Sequence, residues 1–110
     1  MNQELSDILI KHGLVLKNTK FLDIHAFSKK KKLICIYGEN TNKQCCLILF
    51  SFTKSKILLK ESLGFEYIFQ NISQTLDLNF QNYFIFHQAL ICSKAKEYLA
   101  TKGIKNHAFM

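Results

Sequence analysis

The sequence predicts an α/β fold of the α+β kind: a mixed sheet made from a three-stranded meander plus a strand–helix–strand unit, with helices packed on the sheet. Three observations lead there. Hydrophobic residues make up 48% of the chain and charged residues 21%, the balance of a chain that buries a core. Apolar residues recur at helical spacing in some segments and at strand spacing in others. The order of those segments is helix, three strands, helix, strand, helix, short strand, which fits neither a purely parallel nor a purely antiparallel sheet. No repeat, low-complexity stretch or Gly/Ser/Pro-rich linker interrupts the chain, so one domain over residues 1–110 is expected.

Each element has a local reason. Residues 3–12 set Leu5, Ile8, Leu9 and His12 on one helical face, and Gly13 offers a stop. From Phe21 to Phe27 the period changes to two, with Leu22, Ile24 and Ala26 opposed to Asp23 and His25, which predicts a half-buried strand. After a polar turn at Lys29–Lys32, the run Leu33–Tyr37 is apolar on both faces, as a central strand is. Gly38–Lys43 reads as a turn and Cys45–Phe52 as a second two-sided strand.

Residues 55–76 read as a helix, because Leu58, Phe65, Phe69, Ile72 and Leu76 recur at three- and four-residue spacings. Gly64 leaves an alternative, in which Lys54–Lys60 extends as a strand and a shorter helix starts near Ser62. Phe80–His87 is rich in aromatic residues and strand-like. Cys92 or Ser93 caps a helix running to Lys102 with Ala95, Tyr98 and Leu99 inward; Gly103 ends it, and Ile104–Phe109 forms a short edge strand.

Net charge is +7 from fifteen basic and eight acidic residues, and every basic residue is lysine. Basic chains attract polyanions. Arginine, the residue suited to bidentate recognition of phosphate and guanine, is absent. The many Asn, Ile, Phe and Lys residues also match an AT-rich coding bias, so part of the charge has a compositional explanation. The longest strictly apolar run, Cys45–Phe50, is far short of the roughly 20 residues that cross a bilayer. The N-terminal residues lack the features of a secretory signal, so a cytoplasmic protein with free thiols at Cys35, Cys45, Cys46 and Cys92 is expected.

Two groups of residues carry candidate chemistry. Lys29, Lys30, Lys31 and Lys32 form a charge run at an expected hairpin tip and, with Lys43, are the candidate nucleic-acid-binding residues; solubilising very apolar strands is the alternative role. Lys17 and Lys20 lie near them in sequence. Cys92, followed by Ser93 and Lys94 at a helix start, with His87 ending the preceding strand, is a candidate anion or reactive-thiol site. The alternative for Cys92 is a small half-buried residue at a helix start. Cys45 and Cys46 are adjacent on a strand and point to opposite faces, so no metal site is expected and no cofactor is implied. The Phe80–Phe84 segment offers an aromatic surface for bases or a second subunit, with core packing as the alternative.

The element order is similar to the core of the restriction-endonuclease-like nucleases and Holliday-junction resolvases, whose three-strand meander lies between two helices. Their signature is an acid at the start of the second strand and acid-x-lysine on the third, which together hold metal ions and a base. Here those strands read Leu33-Ile34-Cys35-Ile36-Tyr37 and Gln44-Cys45-Cys46-Leu47-Ile48-Leu49-Phe50, without a carboxylate. The resemblance therefore covers element order and supplies no catalytic residue. The leading functional expectation is a non-enzymatic binding module for nucleic acid or another acidic macromolecule. Its alternatives are a homodimerising or partner-docking protein, a non-catalytic relative of the nuclease-like fold, and a thiol-dependent enzyme using Cys92.

Overall fold

The computed structural model describes residues 3–22 and 32–109. Its elements are α1 (Gln3–Lys11), β1 (Lys17–Leu22), β2 (Leu33–Glu39), β3 (Cys45–Ser51), α2 (Leu59–Leu76), β4 (Asn82–His87), α3 (Ser93–Thr101) and β5 (Ile104–Ala108). They form the expected mixed five-stranded sheet in the order β1-β2-β3-β4-β5. The first two pairings are antiparallel and the last two parallel. Parallel neighbours need a crossover, and α2 and α3 supply the two.

The central strands are buried almost end to end: every residue of β3 after Cys45 is buried, as are Phe84–His87 of β4. Their alternation divides the core. Leu47, Leu49 and Ile85 face α2 and α3, joining Phe65, Phe69, Ile72, Ala95 and Leu99. Cys46, Ile48, Phe50, Phe84 and Phe86 face α1, whose Leu5, Ile8 and Leu9 cover them. On that side the rings form a ladder, with Phe50 at 5.5 Å from Phe86 and His107 at 5.5 Å from Phe86.

The structure corrects several boundaries. The first strand begins at Lys17, before the predicted Phe21, because it is an exposed edge that pairs with β2 through Lys17–Glu39, Lys20–Tyr37 and Leu22–Cys35. A bulge between Lys17 and Lys20 puts Asn18 at a positive φ of 55°. The remainder of the predicted Phe21–Phe27 strand, with Asp23 and His25, lies outside the described residues. Gly38 and Glu39 belong to β2, so the turn starts later than the sequence suggested. The helix read over 55–76 is present but begins at Leu59, and Lys54–Lys60 does not extend as a strand, with only Ile57 making a bridge, to Ile91.

Candidate nucleic-acid interface

The parallel strands set the site's position. β3 and β4 both end, and β2 starts, at the same end of the sheet, since Leu33 pairs with Ser51 and Ser51 with His87. Loops leave this end toward the N-termini of α2 and α3. In open sheets with helical crossovers, ligands meet this carboxyl end of the parallel strands.

Backbone hydrogen bonds stitch the two loops together. Ile57 N donates to Leu90 O at 2.8 Å, and Cys92 N donates to Ile57 O at 2.9 Å. Phe52 N donates to Lys32 O at 2.9 Å and Gln88 N to Ser51 O at 3.2 Å, so the start of β2 joins the same surface. The arrangement brings Lys32, Lys54, Lys56, Lys60, Lys94 and Lys96 to one end, all exposed. Among the described residues none of them forms an ion pair. Two helix N-termini open there, each with partial positive charge.

Four acids border this region. Glu61 folds back on its own helix start, its Oε2 accepting from Leu58 N at 2.9 Å. Glu4 and Asp7 lie on the α1 side, where they line a cleft of about 310 Å³ with Gln88 and Phe109. Glu97 is exposed, farther along α3.

The sequence-predicted lysines separate. Lys29, Lys30 and Lys31 lie outside the described residues, while Lys32 is on the basic end. Lys43 sits in the β2–β3 turn, at the other end of β2. A strand of seven residues keeps it about 20 Å from Lys32. Lys17, opposite Glu39, belongs to that far end too. Lys54, Lys56 and Lys60 were not singled out from sequence, because their convergence with Lys94 depends on the parallel pairing of β3 and β4. Two strand–helix junctions both rich in lysine were the available signal.

Cys92 and His87 have separate hydrogen-bond partners. Cys92 is the N-cap of α3, and its Sγ accepts from Ala95 N at 3.4 Å. The buried imidazole of His87 uses Nδ1 to reach Ala89 O at 2.8 Å, so Nδ1 carries the proton, and no protein group pairs with Nε2. No hydrogen bond joins them, so the structure does not bring His87 to the thiol as a base. Ser93 and Lys94 are exposed beside the cap.

All four cysteines are free, as expected; Cys35 and Cys46 are buried, Cys45 is half-buried, and Cys92 is half-buried at its helix start. Burial pushes the Cys35 thiol up to about 12, which keeps it protonated and inert. Among the described residues no three His, Cys, Asp or Glu side chains cluster to hold a metal. Phe80 and Phe84 are buried and Tyr83 packs against Phe69, so the aromatic strand belongs to the core.

The start of β2 and the body of β3, where the nuclease signature would fall, are apolar in space as well. Leu33, Leu47, Ile48, Leu49 and Phe50 are buried. Glu39, the carboxylate of β2, is exposed at the far end of that strand.

No protein-family model and no curated protein sequence matches the chain. Three solved structures share its fold. A protein of unknown function, AF1548, superposes with a TM-score of 0.64 at 18% identity, over 96% of this chain and 55% of that one. EndoMS in its apo form gives 0.60 at 7% identity, over 99% and 46%. A repair endonuclease from Pyrococcus abyssi gives 0.55 at 10% identity, over 99% and 47%. The chain thus spans about half the length of each, and at these identities the likeness is one of fold. No helix among the described residues is long and apolar enough to cross a membrane.

Proposed function

We propose that this chain is a non-enzymatic nucleic-acid-binding module on a nuclease-like sheet, holding phosphates with its basic end. The observation that carries the reading is the gathering of Lys32, Lys54, Lys56, Lys60, Lys94 and Lys96 around two helix N-termini at the carboxyl end of the parallel strands. Lys29, Lys30 and Lys31 directly precede Lys32 in sequence. Lysine alone makes point-charge contacts with phosphate, without the fork that reads guanine, so binding is expected to be independent of base sequence. The likeness to a repair endonuclease supports a nucleic-acid partner.

Fluorescence anisotropy of labelled DNA and RNA, titrated across a range of salt, tests this. Replacing Lys54, Lys56, Lys60 and Lys94 with Gln is expected to weaken binding about a hundredfold, evenly across sequences. The slope of log K against log salt should shrink by about 3–4, since each phosphate contact contributes about 0.9. Lys29–Lys32 to Gln should act in the same direction, whereas Lys43→Gln, at the far end, serves as the control. Unchanged affinity and slope in the fourfold variant would reject the assignment.

A second reading, docking of a protein partner or a second copy, rests on Leu59, Leu63 and Tyr67, which leave 39%, 47% and 58% of their surface exposed on successive turns of α2. Sedimentation at increasing concentration, comparing the wild type with Leu63→Glu, separates a self-associating chain from a monomer.

A further inference from the structure

Leu90 is the most exposed large hydrophobic side chain among the described residues, at 79%. It makes no core, yet its backbone is firmly fixed. Its carbonyl accepts from Ile57 N at 2.8 Å, and two residues on Cys92 N donates to Ile57 O at 2.9 Å. On the other side, the buried His87 donates Nδ1–H to Ala89 O at 2.8 Å, and Gln88 N is tied to Ser51 O at 3.2 Å. An apolar side chain thus projects from a turn pinned on both flanks, and its backbone loses little freedom if it meets a ligand.

The surroundings define that ligand. Lys54 and Lys56 lie on the loop stitched to Leu90, Lys60 in the first turn of α2 and Lys94 in the first turn of α3. Leu58 and Leu59, 50% and 39% exposed, directly follow the bridged Ile57 in sequence. An apolar tip ringed by cations suits a polyanion with an apolar interior. In duplex nucleic acid the phosphates are outside and the stacked bases within, and proteins that bend duplexes insert such side chains between base steps.

We infer that Leu90 is a preorganised wedge that enters a base step of a duplex held by the surrounding lysines; the inference rests on the nucleic-acid reading given above. Pyrimidine–purine steps such as TA open most readily, so the wedge gives a preference for deformable duplexes without hydrogen-bond reading of bases.

The test uses the full chain and two end-labelled duplexes of equal length and composition, one with central TA steps and one without. Anisotropy reports affinity, and energy transfer between the ends reports bending. The wild type is expected to favour the TA duplex about tenfold, equivalent to about 1.4 kcal/mol, and to shorten its end-to-end distance. Leu90→Gln should bind both duplexes alike, with the salt dependence kept and the bend lost, while Leu90→Phe should retain preference and bend. Because the side chain is exposed, neither substitution removes a core contact. Equal preference and bending in wild type and Leu90→Gln would overturn the wedge and leave the lysine surface standing. Failure of the wild type to bind any duplex at low salt would remove both readings. If Leu90→Gln instead lost binding to phosphatidylserine vesicles and behaved as wild type on the duplexes, the wedge would be overturned in favour of a lipid contact.

Discussion

His107 shows how one residue couples burial to pH. It lies on β5 with its ring 5.0 Å from His12 and 5.5 Å from Phe86. Desolvation, then the charges of His12, His87 and Lys105, hold its pKa below the ordinary 6.5. The folded state therefore binds its proton less readily than the unfolded chain does. Stability is full above about pH 6.5 and falls as pH drops from there through the lower folded-state value. Calorimetric melting between pH 8 and 5 should show the midpoint falling on the acid side, and His107→Gln should flatten that fall. A wild-type midpoint constant across this range would contradict the account. Cys92 teaches the complementary lesson. Its position at a helix start, and its place beside Ser93 as a candidate cap, were legible from sequence; the structure chooses Cys92, with Sγ turned to Ala95 N.

At the scale of elements, legibility followed burial. β2 and β3 could be read because two-sided apolar runs mark strands buried on both faces, β4 because it is rich in Phe and Tyr, and α3 because Cys92 and Gly103 punctuate it. β1 was misplaced because an edge strand such as Lys17-Asn18-Thr19-Lys20 has no apolar alternation; its pairing with β2 defines it. Residues 54–60 were ambiguous for a related reason, since Ile57 joins the core and bridges to Ile91, contacts distant in sequence. The β1 edge also makes a prediction. A Cβ on Gly38 would stand 3.0 Å from both Lys17 O and Thr19 Cγ2, and the backbone oxygen cannot swing away as a flexible side chain would. Gly38→Ala should cost about 1–3 kcal/mol and speed amide exchange in β1 more than in β3, as hydrogen–deuterium exchange can check. Unaltered protection in β1 would show that the strand accommodates the methyl group.

For the whole molecule, the relation between fold and site was the part least legible in sequence. Element order foretold the sheet, but the lysines of two separate strand–helix junctions meet only once β3 and β4 lie parallel. The same sheet carries no carboxylate at the start of β2 or within β3, where the nuclease signature would fall. Metal-dependent hydrolysis of that kind needs carboxylates on the middle strands, and here Ile48 and Phe50 are fully buried under α1, with Phe50 in ring contact with Phe86. An acid-x-lysine pair cannot be written into β3 without removing that contact and burying charge. The double substitution Ile48→Glu and Phe50→Lys should therefore cost at least about 3–5 kcal/mol. It should lower the thermal midpoint by more than about 10 °C and yield no cleavage of a labelled duplex with magnesium or manganese. Recovery of cleavage in a well-folded double variant would show that the aromatic ladder has replaced a catalytic centre the rest of the fold still supports. Loss of stability without cleavage would show that the α1 side of the sheet is committed to packing.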